Sequence, residues 1–174
     1  GLVGSEMCIR DRCITPSRIF KTRSRDGLVQ HTGFICIDID HKDNGVFGPE
    51  WFDKKRLVAK TFDSLLCASM SISGNGLYLI FRIAHPDMHL AQFDALVREI
   101  YEKTGLVADQ GCCDVCRLRG ASYDAYPYIN PHAKPYRGVL KERTARAKVR
   151  TAREKKLLDE KVYKLIKKIR EKKK

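Results

Sequence analysis

Two aspartates at the end of an apolar stretch are the residues best suited to chemistry in this chain. Asp38 and Asp40 flank Ile39 in the run Phe34–Asp40, which is short and β-branched and so predicts a buried strand. Side chains alternate along a strand, so both carboxylates share one face. Two adjacent carboxylates repel unless a cation joins them, so the pair predicts a divalent metal site for phosphoryl chemistry. The alternative is a strand end with two solvated acids.

A glycine-rich turn is the second candidate feature. Ser73, Gly74, Asn75 and Gly76 separate two apolar runs, at 67–73 and 77–83, and this pattern predicts a β-hairpin. Such a tip exposes backbone N–H groups and lets a phosphate come close, because glycine has no Cβ to block the approach. An ordinary hairpin turn is the alternative.

A third segment sets two acids before two arginines. Asp109 and Asp114 precede Arg117 and Arg119, and the two arginines share one side of a strand predicted over Arg117–Tyr123. Arginine pairs bidentately with phosphates or carboxylates, so this segment suits binding of either group. A structural pair between Asp114 and Arg117 is the alternative.

Composition limits the class of protein. The 174 residues are 43% hydrophobic, enough for one domain with extensions. No apolar run approaches the roughly 20 residues of a membrane span, which predicts a soluble protein. Seven cysteines without a periodic framework indicate a reducing cytoplasm. Cys112, Cys113 and Cys116 form one cluster, but a single C-x-x-C pair without a second makes structural zinc a weak prediction.

The positive charge is concentrated in the last part of the chain. Residues 141–174 hold 16 basic and 5 acidic residues, or +11 of the net +13. A basic segment fits nucleic acid, and a solvated helical linker fits equally well. Apolar residues between Leu157 and Ile169 recur at helical spacing. We therefore expect residues 138–174 to be a basic linker followed by the start of a truncated helical domain.

The first twelve residues fit no structural pattern. They closely resemble the translation of a sequencing-library adaptor, so we set residues 1–12 apart as an artefact; a genuine disordered N-terminus is the alternative.

The remaining elements predict an α+β fold. A hairpin is expected from Arg18–Thr22 and Leu28–His31, and helices are expected over Asp53–Leu65 and from Leu90 to a terminator at Gly105. From Phe34 onward the order is strand, helix, strand, strand, helix, strand, which is the ferredoxin-like βαββαβ pattern. Right-handed crossovers place both helices on one face of the sheet. We therefore expect Asp38 and Asp40 on the open face, where a substrate reaches them.

Taken together, these motifs resemble the archaeo-eukaryotic primase superfamily, and most of all its VirE N-terminal domain, over residues 13–137. In that superfamily a strand ending in Asp, an apolar residue and Asp supplies two metal ligands, which matches Asp38 and Asp40. A third acid completes the metal site, and Asp109 fits best, with Asp114 as the competing choice. We expect these carboxylates to repel each other without metal, which raises the pKa of at least one of them. Asp38→Asn with Asp40→Asn is expected to relieve this repulsion, to abolish stabilisation by metal and to leave the fold intact.

The resemblance also implies a nucleotide-binding set. A Ser-x-His-type motif at a hairpin binds nucleotide phosphates in the superfamily, and Ser73 through Tyr78 match it, with Leu77 or Tyr78 where the histidine is expected. Arg117 and Arg119 match the arginine that follows the third acid.

The implied function is a primase-like nucleotidyltransferase domain of a cytoplasmic replication protein from a mobile element or phage. It would use Mg²⁺ or Mn²⁺ to polymerise nucleotides on a single-stranded DNA template. A helicase-like or primase C-terminal domain would follow it. The alternative is a catalytically degenerate nucleic-acid-binding module.

Overall fold

The structure is a computed structural model that describes residues 13–20 and 28–140. The chain divides into two units, Gly1–Val139 and Leu140–Lys174. Our predictions for residues 1–12 and for the basic segment after residue 140 lie outside the described residues.

The described part of the chain has an α+β fold. Its helices are α1 (His41–Asn44), α2 (Glu50–Thr61) and α3 (His89–Thr104), with 3-10 turns at Pro86–Met88 and Gln110–Cys112. Its strands are β1 (Cys13–Ile14), β2 (Arg18–Phe20), β3 (Leu28–His31), β4 (Phe34–Asp40), β5 (Leu65–Met70), β6 (Gly76–Arg82), β7 (Arg119–Gly120) and β8 (Tyr128–Ile129). None of these helices is long and apolar enough to cross a bilayer.

The main sheet has four antiparallel strands in the order β4-β6-β5-β8. β5 and β6 form the predicted hairpin, and β2 pairs with β3 as predicted, with Arg18 opposite His31.

The last predicted strand lies elsewhere. Only β7 forms within the expected Arg117–Tyr123 strand, and it pairs with β1 outside the main sheet. The free edge of β4 is instead flanked by the segment after α3, whose Leu106 and Ala108 are buried and whose Asp109 N–H donates to the carbonyl of Asp38. The prediction failed because the segment with the alternating buried residues Leu106 and Ala108 already lies beside the free edge of β4. This segment precedes Arg119 in the chain.

The helices fall close to their predicted positions. α3 contains the predicted apolar face and ends at Gly105, whose φ of 71° is left-handed and whose N–H donates to the carbonyl of Tyr101. α2 begins earlier than predicted because Trp51 is fully buried and extends the apolar stripe by a turn. It also ends earlier, since Phe62 is extended and Leu65 already belongs to β5.

The core lies between the sheet and the two long helices. Ile35, Ile37 and Ile39 are fully buried in one cluster with side chains of α2 and α3, as the alternation along β4 predicts. Removing a side chain of this size from water stabilises the fold by roughly 2 kcal/mol each. This packing fixes the register of β4, because a slip by one residue would turn the aspartates into the core.

Candidate active site

Asp38 lies on the sheet face opposite the isoleucines, but that face is covered. The residue is only 7% exposed, and its strand partner on β6 is Tyr78. The cover comes from the segment that runs from the end of α3 through β7, which brings Cys112 and Arg119 against the carboxylate. The prediction that Asp38 is open to substrate is therefore wrong, because the chain after α3 folds back over it.

Asp109 lies beside Asp38, as the third-acid prediction requires. The backbone N–H of Asp109 donates to the carbonyl of Asp38 over 2.8 Å. The Asp109 side chain accepts from the N–H of Gly111 at 2.9 Å and so caps the 3-10 turn that follows. This turn directs Cys112 back toward both carboxylates.

The thiol of Cys112 joins the two acids. Its Sγ lies 3.1 Å from Oδ2 of Asp38 and 3.4 Å from Oδ2 of Asp109. Burial and then the negative charge of Asp109 raise the pKa of Cys112 to about 12. The thiol is therefore protonated at neutral pH and acts as a weak hydrogen-bond donor to the carboxylates.

Arg119 supplies the positive charge of the site. Its guanidinium forms an ion pair with Oδ1 of Asp38 and lies 5.1 Å from the centroid of the Tyr78 ring. Arg117 is exposed at the turn before β7, where its backbone N–H donates to the carbonyl of Asp114. Of the two predicted arginines, Arg119 contacts the aspartate and Arg117 remains at the surface.

Asp40 lies at the rim of the site. Its carboxylate forms an ion pair with Lys42 at 3.0 Å, and its side chain is 39% exposed. The hydrogen bond from Lys42 to Asp40, and then the charge of Asp40, raise the pKa of Lys42, and the charge of Asp109 adds to this rise. Asp40, Lys42 and Asp109 thus belong to one electrostatic neighbourhood at the end of β4.

The predicted phosphate-binding turn is next to this end of β4. The carbonyl of Asn75 accepts from the N–H of His41, directly after Asp40. The N–H of Gly74 donates to Ser71, and the N–H of Asn75 donates to the hydroxyl of Ser73. These two N–H groups therefore form hydrogen bonds within the turn. They are not free to bind a phosphate, contrary to the prediction.

Gly76 has a steric role in the main sheet. A Cβ at this position would lie 2.5 Å from the carbonyl oxygen of Ile39. Glycine is thus needed for β6 to approach β4 opposite Asp40. The exposed hydroxyls of Ser71 and Ser73, 3.2 Å apart, are the polar groups that the tip offers to a ligand.

Asp114, the competing third acid, lies in different surroundings. Its carboxylate accepts from the N–H of Cys116 at 3.0 Å, and its charge acts on His89 at the start of α3. Among the described residues, no three His, Cys, Asp or Glu side chains are arranged as a metal-binding group. The structure brings Asp109 to Asp38 and leaves Asp40 at the rim.

Two features of this region have no counterpart in the sequence predictions. The cysteine cluster drew attention to its C-x-x-C pair, whereas Cys112, outside that pair, contacts both acids. The other feature is the buried ion pair of Lys55 and Asp124, 2.7 Å apart. The burial of Lys55 can be inferred from the sequence, because this residue lies between Trp51 and Val58 on the buried stripe of α2.

The geometry can be compared with known families. Residues 12–128 match the family described as BT4734-like, N-terminal domain. The chain belongs to this family. The matched region contains every residue of the candidate site, from Asp38 to Arg119. No curated protein and no solved structure matches the chain.

Proposed function

We propose that this BT4734-like N-terminal domain is a primase-like nucleotidyltransferase that polymerises nucleotides on a DNA template in a replication protein of a mobile element or phage. The observation that supports it most is the convergence of Asp38 and Asp109 at the edge of β4, through a 2.8 Å backbone hydrogen bond. Asp40 follows one pleat further on the same strand. Acids brought together from two segments beside an arginine suit phosphoryl transfer.

The finer fold assignment belongs to the same proposal. A ferredoxin-like core would consist of β4, α2, β5, β6 and α3, with the sheet order β4-β6-β5. The segment that carries Leu106, Ala108 and Asp109 would take the place of the fourth strand beside β4. This arrangement brings the third acid to the first strand, which is the requirement that the resemblance imposes.

The donor set suits a hard divalent cation. Asp38, Asp40 and Asp109 offer carboxylate oxygens, the ligands that Mg²⁺ and Mn²⁺ prefer. The contacts of Cys112 and Arg119 with Asp38 have to open before a cation reaches that carboxylate. Bound there, the ion would supply positive charge against the phosphates during transfer.

Side chains of this chain supply the remaining contacts. Arg119, once released from Asp38, is placed to donate to a nucleotide phosphate in a charge-assisted hydrogen bond. Tyr78 lies beneath that guanidinium and offers a neutral hydroxyl where the resemblance expects histidine. Ser73 at the hairpin tip, next to the end of β4, offers a further donor. The partners are nucleotides, single-stranded DNA and a following helicase-like or primase C-terminal domain.

A non-catalytic nucleic-acid-binding module is the second candidate. It is favoured by the burial of Asp38 and by its ion pair with Arg119, since the guanidinium already compensates the charge of this acid without a metal. Tyr78 in place of histidine favours it too, because a tyrosine brings no positive charge to a triphosphate.

An incorporation assay separates the two candidates. Labelled nucleotides, a single-stranded template and millimolar Mg²⁺ or Mn²⁺ are supplied to the wild type, to Asp109→Asn and to Asp63→Asn. Asp63 is an exposed acid paired with Lys134 and serves as the matched control. We expect metal-dependent incorporation by the wild type and the control and none by Asp109→Asn. Template binding without incorporation at any metal concentration would instead establish the binding module.

A further inference from the structure

A cleft separate from the aspartates lies between α2 and the segment that ends in β8. Its volume is about 420 Å³, within the range of small-ligand sites. From α2 it is lined by Phe52, Lys55, Arg56 and Ala59, and from the other side by Tyr126, Pro127 and Tyr128. Three of these seven side chains are aromatic and two are cationic.

The aromatic rings at the mouth of the cleft are not part of the core. Tyr126 is 74% exposed, and Phe52 is also exposed. Their ring centroids are 6.3 Å apart and their planes are inclined by 68°. A cluster of exposed aromatic side chains around a concave surface is a feature of ligand-binding grooves.

The two cations have different tasks. Lys55 is buried, forms an ion pair with Asp124 at 2.7 Å and donates to the carbonyl of Tyr126. Lys55 therefore attaches the segment with Tyr126, which forms the other side of the cleft, to α2. Arg56 is exposed and has no ion-pair partner among the described residues. Arg56 is thus the cation that a ligand can use.

This chemistry fits a nucleobase with its phosphate. Every base has a flat face that stacks on aromatic side chains, and the backbone phosphate is attracted to a nearby guanidinium. We propose that the cleft binds one nucleotide unit of single-stranded nucleic acid, with the base against Tyr126 and Phe52 and the phosphate on Arg56. The assignment deepens the proposed function, because the strand would be the template.

The cleft is tied to the candidate active site by a short segment. Seven residues lead from Arg119 to Tyr126, so their Cα atoms are at most about 25 Å apart. Asp124 fixes this segment, since its carboxylate accepts from the N–H groups of Met70 and Tyr126. A single strand of a few nucleotides can therefore reach from one to the other.

The test measures the binding of a fluorescent oligothymidylate to the full chain by anisotropy over a range of salt concentrations. Tyr126→Ala should weaken binding by about 5- to 100-fold, the effect of losing one stacked base, and Tyr126→Phe should not. Arg56→Gln should lower the slope of log affinity against log salt by about 0.7. Tyr123→Ala is the matched control, an exposed tyrosine of the same segment outside the cleft, and Arg82→Gln is the control for charge.

Equal affinities of Tyr126→Ala, Tyr123→Ala and the wild type would overturn the proposal. Competition by free thymidine monophosphate as effective as that by the oligonucleotide would also overturn it, since the ligand would then be a free nucleotide. Aromatic-dependent strand binding without incorporation would refute the proposed polymerase and leave the cleft in place. If Tyr126→Ala changes neither strand binding nor incorporation at limiting template, the proposed role of the cleft is refuted. The proposed polymerase function is then unaffected.

Discussion

Asp38 and Asp109 are joined backbone to backbone at the edge of β4 and side chain to side chain through the thiol of Cys112. The two acids therefore keep their spacing without a metal, since the main-chain bond does not depend on what neutralises the carboxylates. Arg119 offsets the charge of Asp38 at the same time. This arrangement changes what substitutions at the site are expected to do.

Asp38→Asn should destabilise the metal-free protein, whereas the repulsion between carboxylates expected from the sequence would favour removal of this charge. The reason is that the carboxylate is paired with Arg119, whose side chain is largely buried and would lose its counter-charge. Breaking one partner of a buried pair costs about 3 kcal/mol or more. Urea denaturation of Asp38→Asn and of the rim variant Asp40→Asn measures this, and a smaller loss for Asp40→Asn is expected because its ion pair is exposed. A more stable Asp38→Asn would restore the repulsion argument.

Millimolar Mg²⁺ or Mn²⁺ should raise the melting temperature of the wild type. An ion that binds only the native state stabilises it by mass action. Asp109→Asn should abolish this rise, and Asp63→Asn, remote from the site, should keep it. A melting temperature that does not respond to either ion would count against the metal site.

The Cys112 thiol should make stability fall at alkaline pH. Its folded pKa of about 12 is raised from 9.0. The unfolded chain therefore loses its proton first, and stability present below about pH 9 is lost as the pH rises toward 12. Cys112→Ser retains one hydrogen-bond donor beside the two carboxylates but removes this titration. Denaturant midpoints between pH 8 and 10.5 should fall less in Cys112→Ser than in the wild type; equal slopes would assign the loss to other groups.

The paired histidines should limit stability at acid pH. Nε2 of His31 lies 2.9 Å from Nδ1 of His89. Burial, then the charges of His31 and Arg18, lower the pKa of His89 to about 4, with the Cys113 carbonyl and Asp114 acting in the opposite direction.

Stability is therefore full above the unfolded pKa of about 6.5 and lost as the pH falls toward 4, by up to about 3 kcal/mol for His89. His89→Gln should flatten the decline between pH 6.5 and 4.5 in a series of urea titrations. An unchanged decline in that variant would show that carboxylates, not His89, cause the loss.

Breaking the buried Lys55–Asp124 ion pair should lower the free energy of unfolding far more than breaking an exposed ion pair. Lys55→Ala leaves a carboxylate whose side chain is 2% exposed without its cation, and this should cost about 3–5 kcal/mol. The burial of Asp124 alone would raise its pKa, but the hydrogen bonds from Lys55, Tyr126 and Met70 keep that pKa below its usual value.

The matched control is Lys134→Ala, which breaks the exposed pair with Asp63 and should cost less than about 1 kcal/mol. Both variants are compared in the free energy of unfolding. Similar losses of stability in Lys55→Ala and Lys134→Ala would show that the buried ion pair is no more sensitive to removal of its lysine than the exposed one.

Periodicity predicted the parts of the fold that depend on local pattern. The alternation of Ile35, Ile37 and Ile39 correctly gave a strand with one buried face, and the stripe ending at Gly105 correctly gave α3. The strand and the helix are both determined by residues that lie only a few positions apart in the sequence. The paired aspartates were found for the same reason, because their spacing of two places them on one face.

The cover over Asp38 was not predictable in this way. It depends on the fold-back of the segment with Cys112 and Arg119, whose apolar residues follow no regular period. The positions of β7 and β8 were missed for a related reason, since two-residue strands carry too little pattern to identify their partners. Long-range contacts of polar side chains decide these features.

The pairing of Arg119 with Asp38 has a thermodynamic consequence for how the site fills. Under the proposed function, a cation bound to Asp38 would displace the guanidinium, which would then lack an anion, and a phosphate bound to the guanidinium would leave Asp38 in need of a cation. Each ligand would thus remove the competitor of the other, and their affinities would rise together by reciprocal linkage. We expect such a site to respond to the metal–nucleotide complex as a unit and to bind either component weakly when it arrives alone.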